Sequence, residues 1–218
     1  LKHDPNFDVP ELDIEFTTRT TLAMEFKSGI TIEGLVNFTQ ETKNKVIERL
    51  IKLIFMEIFE FNLVQTDPNF ANFLYDESTN KIVLLDFGAT RTLESTTVNN
   101  FKMLLTAILS QDTESIQRNL NELGLITSNL SNDILKSILN IIEKYSLPIV
   151  MGQPYDFTNP TLVSDMEQLS KQFFASRCKI SIPPISTLLI QRKIGGIFLL
   201  AQRFKAKVDL QEVIEKYT

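Results

Sequence analysis

The sequence predicts an α+β fold, and three patterns carry that prediction. Residues 9–26 hold strand-like stretches, the chain from Thr31 onward has helical character, and one β-hairpin near residues 73–85 interrupts the helices. Polar loops flank the hairpin on both sides, and polar loops mounted on a rigid scaffold are where binding and catalysis concentrate.

Each element follows from local chemistry. Val9 to Phe16 alternates in part, and Thr20 to Phe26 is rich in threonine and apolar residues; Thr17-Thr18-Arg19 supplies a turn between two strands. Ser28-Gly29 breaks the run. Thr31 can cap a short helix ending near Phe38, and a longer helix is expected from about Thr39 to Phe61. Its second half is apolar nearly all round, through Leu50, Ile51, Leu53, Ile54, Phe55, Ile58 and Phe59, so it belongs in the core. Phe73-Leu74-Tyr75 and Ile82-Val83-Leu84-Leu85 are two short strands, joined by the turn formers of residues 76–81. Further helices are expected at about 95–110, 112–123, 130–145, 161–177, 186–204 and 208–217. Pro148, Gly152, Pro154 and Pro160 mark one loop, and Pro183-Pro184 marks another.

Composition narrows the function. With 218 residues, 43% of them hydrophobic, the chain can build a real core and does not fit a disordered class. A net charge of −5 argues against a general nucleic-acid binder, which normally carries a basic excess. Arg192, Lys193, Arg203, Lys205 and Lys207 could gather into a local basic patch, although a solvated helix face is the ordinary reading of such a run. The single cysteine, Cys178, and the single histidine, His3, exclude an internal disulfide and a Cys/His zinc site; Cys178 is expected to be a small buried apolar residue. No apolar run is long enough to span a membrane. The chain opens Leu1-Lys2-His3-Asp4, without a starting Met, and reads as a piece of something longer.

The chemistry sits around the hairpin. Asp67 is followed by Asn72 five residues later, and Asp86-Phe87-Gly88 comes about a dozen residues after that. This is the spacing of a kinase catalytic core, in which a carboxylate and an amide oxygen hold Mg²⁺ against the phosphates of ATP. Magnesium takes hard oxygen ligands, and Asn72 and Asp86 supply them. Asp67 is the candidate catalytic residue, placed to orient or deprotonate an attacking hydroxyl or water. The hairpin returns the chain on itself, so the two loops end side by side. Gly88 is expected to let the backbone turn sharply behind the ligand. In such a fold, residues 1–27 are the end of the small lobe and the hinge, and residues 28–218 are the helical large lobe. Backbone groups of Met24, Glu25, Phe26 and Lys27 would then face the adenine edge.

At these residues the chain resembles a known family. Phe59 to Leu74, containing Gln65-Thr66-Asp67-Pro68-Asn69, and Leu84-Leu85-Asp86-Phe87-Gly88-Ala89 look like the UbiB/ADCK atypical kinases. Gln65 stands where protein kinases place His, as in the coenzyme Q branch of that family. Gly152 to Phe157 and the Pro183-Pro184 segment resemble the same branch. The resemblance implies a protein-kinase-like fold, here mostly the C-terminal lobe with the last strands of the N-terminal lobe. It implies an ATP- and magnesium-dependent atypical kinase or ATPase that supports ubiquinone biosynthesis. It implies coenzyme Q biosynthesis proteins as partners, with membrane lipid or a quinone precursor as further candidates. It places a eukaryotic member on the matrix face of the mitochondrial inner membrane, and a bacterial one in the cytoplasm or at the membrane periphery. The family's nucleotide lysine, its partner Glu, its alanine-rich loop and its Lys-x-Gly-Gln segment would all precede Leu1, so the chain alone is expected to bind and turn over ATP poorly.

Only about a dozen residues separate Gly88 from Phe101, where helical spacing is established, and no Ala-Pro-Glu follows. That leaves no room for the segment that cradles a peptide in protein kinases. ATP hydrolysis or a small-molecule acceptor is favoured on that ground. Two other readings stay open: a pseudokinase scaffold that binds partners without chemistry, and a small-molecule phosphotransferase of the aminoglycoside or choline type.

Overall fold

A computed structural model describes residues 1–218 apart from Lys2, Pro68, Ser128, Asn129, Pro160 and residues 177–181. Cys178 falls outside the described residues, as does Pro160. The described elements begin with strands β1 (Phe7–Asp8) and β2 (Ile30–Thr31), a 3₁₀ turn (Ile32–Asn37) and helix α1 (Gln40–Phe55), which continues as a π-helical turn (Met56–Glu60). Strand β3 (Leu63–Gln65), a 3₁₀ turn (Phe70–Asn72), β4 (Phe73–Asp76), β5 (Lys81–Leu84) and β6 (Thr90–Thr92) come next. The remainder is α2 (Ser95–Leu109), α3 (Thr113–Glu122), α4 (Asn132–Val150), β7 (Tyr155–Asp156), α5 (Thr161–Ser176), α6 (Ile185–Arg203), β8 (Lys207–Val208) and α7 (Gln211–Glu215).

The helix starts are set by side-chain caps. Thr39 accepts from the Thr42 amide, Asp112 from the Ser115 amide and Ser131 from the Ile134 amide. Each such cap satisfies an otherwise orphaned donor and contributes about 1 kcal/mol. Along α1, Val46, Ile47, Leu50, Leu53 and Ile54 fall on one face and are buried. They pack against α6 and the sheet, in a cluster that also takes in Ile32, Tyr75, Ile82, Ile190, Ile197 and Phe204. A second cluster, built on Leu104, Ala107, Ile116, Leu120 and Leu123, joins α2, α3 and α4.

The main sheet runs β1-β5-β4-β2. The β4/β5 hairpin forms its antiparallel centre, β2 pairs antiparallel with β4, and β1 runs parallel to β5. The hairpin turn is held by one carboxylate. Asp76 accepts from the Ser78 amide and from the Ser78 and Thr79 hydroxyls at 2.7–2.9 Å. Those hydroxyls, Thr79 first, pull its pKa down to about 2. Gly29 is required by close approach: a Cβ there would stand 2.9 Å from the Leu74 Cβ and 3.0 Å from the Tyr75 carbonyl oxygen.

Three expectations are corrected. Residues 9–26 do not make two full strands; a bridge joins Leu12 to Met24, with amide bonds from Asp13 to Ala23 and from Glu25 to Glu11. Between them the backbone is satisfied locally, by the Asp13 carboxylate on the Glu15 and Phe16 amides and by the Thr17 hydroxyl. Such local bonds compete with a ladder, and Ile14 and Phe26, 76% and 90% exposed, have no layer to pack on. The helix expected to 61 changes at Met56 to π geometry, closed by the Phe61 amide on the Met56 carbonyl at 2.9 Å. Pro148 lies inside α4 rather than in a loop, because the helix runs on to Val150 and stops at Gly152, whose φ is +64°.

Candidate functional site

Two ladders clamp the candidate loops together. In the hairpin, Phe73 pairs with Leu84, and the Leu85 amide donates to the Asn72 carbonyl at 3.0 Å. In the second sheet, β3 pairs antiparallel with β6, setting Gln65 opposite Thr90. One step further on, the Thr66 amide and hydroxyl both donate to the Ala89 carbonyl, at 3.0 and 2.6 Å. Residues 66–72 and 85–89 are therefore tied at both ends, and Asp67, Asn72 and Asp86 lie within that frame.

Side-chain bonds orient the three groups. The Asn72 amide nitrogen donates to Asp67 Oδ2 at 2.7 Å, and Asp67 Oδ1 accepts from the Asn69 backbone at 3.1 Å. Asn69 in turn accepts from the Ala71 amide, which starts the 3₁₀ turn carrying Asn72. Asp86 Oδ1 accepts from the Gly88 amide at 2.7 Å. With the amide set by its bond to Asp67, Asn72 Oδ1 and Asp86 Oδ2 make no hydrogen bond among the described residues. The chain does turn at Gly88 and Ala89, though without a positive φ at Gly88. A Cβ there would come 3.1 Å from Asp86 Oδ1, so glycine leaves room for the carboxylate.

Beneath this frame lies an ion pair that sequence reasoning missed. Lys193, on α6, donates to Glu57 of the π turn and, at 3.0 Å, to the Gln65 carbonyl. The two charged side chains are only 6% and 7% exposed. Burial pushes the Glu57 carboxyl up and the Lys193 ammonium down, each opposed by the other's charge. Lys193 thus leaves the basic patch that its neighbours suggested. Arg203 reaches Glu33 and Lys207 reaches Asp156, so that run is spread among separate partners. The signal for the pair was a lone Glu inside the apolar stretch Ile54–Ile58 and a Lys one helical turn from both Ile190 and Ile197.

Gln65 is 4% exposed, and neither polar atom of its side chain has a partner among the described residues. It lines a cavity of about 650 Å³ with Glu57, Phe61, Phe87, Thr90 and Leu12. Met24 to Lys27 are not part of that wall; their strand partners Glu11 and Leu12 are. Lys27 instead bonds Asp8 and Glu25 at 2.8 and 2.9 Å, and no hydrogen bond or ion pair joins residues 24–27 to Asp67, Asn72 or Asp86 among the described residues. Among the described residues, no three or more His, Cys, Asp or Glu side chains converge on one point.

Residues 1–120 match the ABC1 atypical kinase-like domain. The chain is 34% identical over 220 residues to the mitochondrial atypical kinase COQ8 of Saccharomyces cerevisiae, covering 99% of this chain and 43% of that protein. It is 31% identical to the mitochondrial atypical kinase COQ8 of Schizosaccharomyces pombe, covering 98% and 35%, and 28% identical to the mitochondrial atypical kinase COQ8B of Rattus norvegicus, covering 99% and 40%. It spans about two fifths of the length of these relatives. Among solved structures, Rv3197 of Mycobacterium tuberculosis, in complex with erythromycin, matches with a TM-score of 0.71 over 99% of this chain and 53% of that one. At 16% identity, that likeness speaks to the fold alone.

Proposed function

The chain belongs to the ABC1 atypical kinase-like family, that of the UbiB/ADCK kinases, and from that premise we propose that it binds Mg²⁺-ATP at Asp67, Asn72 and Asp86 for phosphoryl chemistry in coenzyme Q biosynthesis. The observation that carries this reading is the Asn72 bond to Asp67, made at the mouth of a hairpin whose other strand delivers Asp86. The donors fit the ion: Asn72 Oδ1 and Asp86 Oδ2 are hard oxygens without other bonds among the described residues, as magnesium requires. Asn72 and Asp86 would hold the ion, whose charge would offset that of the phosphates. Asp67, steadied on both oxygens, would orient or take the proton of the attacking group. Residues 1–27 serve as the end of the small lobe and the hinge, with the backbone of Met24 to Lys27 toward the adenine, and residues 28–218 serve as the large lobe.

Only residues 89–94 separate Gly88 from α2, and three of them form β6. That leaves no peptide-cradling segment and favours water or a small molecule as acceptor over a protein. Other proteins of the coenzyme Q pathway are the partners of this reading, with a quinone precursor or membrane lipid as candidates. If the source is eukaryotic, the setting is the mitochondrion, at the matrix face of the inner membrane. No helix among the described residues is long and apolar enough to cross a membrane.

Thermal shift of the whole protein tests the site. Mg²⁺-ATP should raise the melting temperature, ATP with chelator should not, and Asp86→Asn should abolish the shift. An unchanged shift in that variant overturns the metal assignment. The same preparation should hydrolyse ATP faster than it phosphorylates added peptides.

A further inference from the structure

A cavity of about 490 Å³ opens between α1 with its π turn, α2, α4 and α6, in the size range of small-molecule sites. None of Asp67, Asn72 and Asp86 lines it, so the cavity is separate from the nucleotide-binding loops. Its wall is apolar and rich in aromatic rings, among them Phe55, Phe59, Phe101, Phe157 and Phe198. No charged side chain contributes to it among the described residues. Protein interiors normally close such spaces, because an unfilled apolar void forfeits the contacts of every atom around it.

Four polar residues line the cavity: Tyr145, Ser146, Tyr155 and Gln191. Two of them are already engaged. Tyr145 donates to Asp165 at 2.7 Å, and the Ser146 hydroxyl donates to the Glu143 carbonyl at 3.2 Å. Tyr155 and Gln191 make no side-chain hydrogen bond among the described residues. Tyr155 is partly buried, and burial pushes its hydroxyl pKa up, so it remains a neutral donor. The wall therefore offers apolar contact along most of its area and neutral hydrogen bonding at two residues. It offers nothing to offset a charge, and an unpaired charge is costly in such surroundings.

We propose that this cavity binds a neutral single-chain amphiphile, its apolar chain among the rings of α1, α2 and α6 and its one hydroxyl or carbonyl at Tyr155 and Gln191. A charged lipid would need the counter-charge this wall lacks, and it is an outcome of the test.

Nile red, a neutral apolar dye, should bind the whole protein saturably, and 1-dodecanol should displace it at one site per chain. Dodecanoate and dodecylamine should displace it at least tenfold less well. Ile194, 45% exposed on α6 beside the cavity, gives the blocking variant. Ile194→Trp should weaken dye and alcohol at least tenfold. Tyr155→Phe should leave the dye unchanged and weaken 1-dodecanol about fivefold, the worth of one neutral hydrogen bond. Absence of saturable binding overturns the proposal, as does equal displacement by dodecanoate. Unchanged dye binding in a folded Ile194→Trp protein also overturns it, since the dye would then sit elsewhere, as on the exposed Leu12, Phe16 and Phe26. If Ile194→Trp does not fold, the alcohol-specific loss in Tyr155→Phe decides, and equal affinity there counts against the site.

Discussion

Lys193 and Glu57, 136 residues apart in sequence, form a closed ion pair beneath the candidate site, and the same ammonium holds the Gln65 carbonyl two residues before Asp67. Replacing Lys193 by Met would leave a buried carboxylate without a counter-charge, a defect that costs about 3–5 kcal/mol. The loss should depend on pH. Without Lys193 the Glu57 pKa stands above its unfolded value, since burial already raises it. A raised carboxyl favours the folded state below the unfolded pKa of about 4.3, and that advantage disappears as pH rises through the folded value. Urea melts should therefore show a smaller penalty at pH 5 than at pH 8, and Glu57→Gln in the same chain should recover part of it. Equal penalties at both pH values would contradict the pairing.

Gln65 buries an amide with no partner for either atom among the described residues. Such a group costs about 1–3 kcal/mol relative to a satisfied one. Gln65→Leu should raise the denaturation midpoint of this chain. A fall of more than about 1 kcal/mol would mean that the amide has a partner in solution.

Asn72 steadies Asp67 through a part-buried bond of 2.7 Å. Asn72→Ala should cost little stability, within about 1 kcal/mol, because no core contact is lost. It should weaken Mg²⁺-nucleotide binding roughly tenfold or more, the scale on which loss of a ligand-orienting group is felt. Calorimetry and a thermal melt on the same variant separate the two effects.

Gly124 closes α3 with φ +69°, and a Cβ there would meet the Pro184 Cδ at 2.8 Å. Gly124→Ala combines a left-handed backbone, about 1–2 kcal/mol for an L-residue, with that clash. A loss of about 2 kcal/mol or more is expected. Pro184→Ala in the same chain removes the clashing atom and should recover some of the loss, though not the backbone share.

Asp156 pairs with Lys207 across the β7–β8 ladder at 2.8 Å and accepts from the Thr158 amide and hydroxyl. The Lys207 contact first, then Thr158, lower its pKa to about 2. A depressed carboxyl stabilises the fold above its unfolded pKa and loses that contribution as pH falls toward about 2. Asp156→Asn should flatten the acid limb of the stability profile between about pH 4 and 2. The difference should be small and should shrink in salt, because the side chain is 40% exposed.

Much of the scaffold was legible because it is written locally. The Asp76 turn and the apolar runs beside it define the β4/β5 hairpin within a dozen residues. Thr39, Asp112 and Ser131 start their helices through side chains that act three residues away. Residues 9–26 misled for the converse reason. Their composition suits strands, yet a strand needs a partner and a layer to cover it, and here only one bridge forms while the apolar side chains stay exposed. Lys193 misled because a cation on a helix normally points to solvent.

The order Asp67, Asn72, hairpin, Asp86 was a property of the sequence alone, since turn chemistry and alternation over some twenty residues bring those loops side by side. Packing decided what lies under them: the union of a π turn and a helix more than a hundred residues later, where burial forces a Glu and a Lys to meet. Propensity and capping act over a few residues, so they can be read along the chain. Burial of charge and the shape of the α1/α2/α4/α6 cavity depend on which distant surfaces close on one another, and that exists only once the chain has folded.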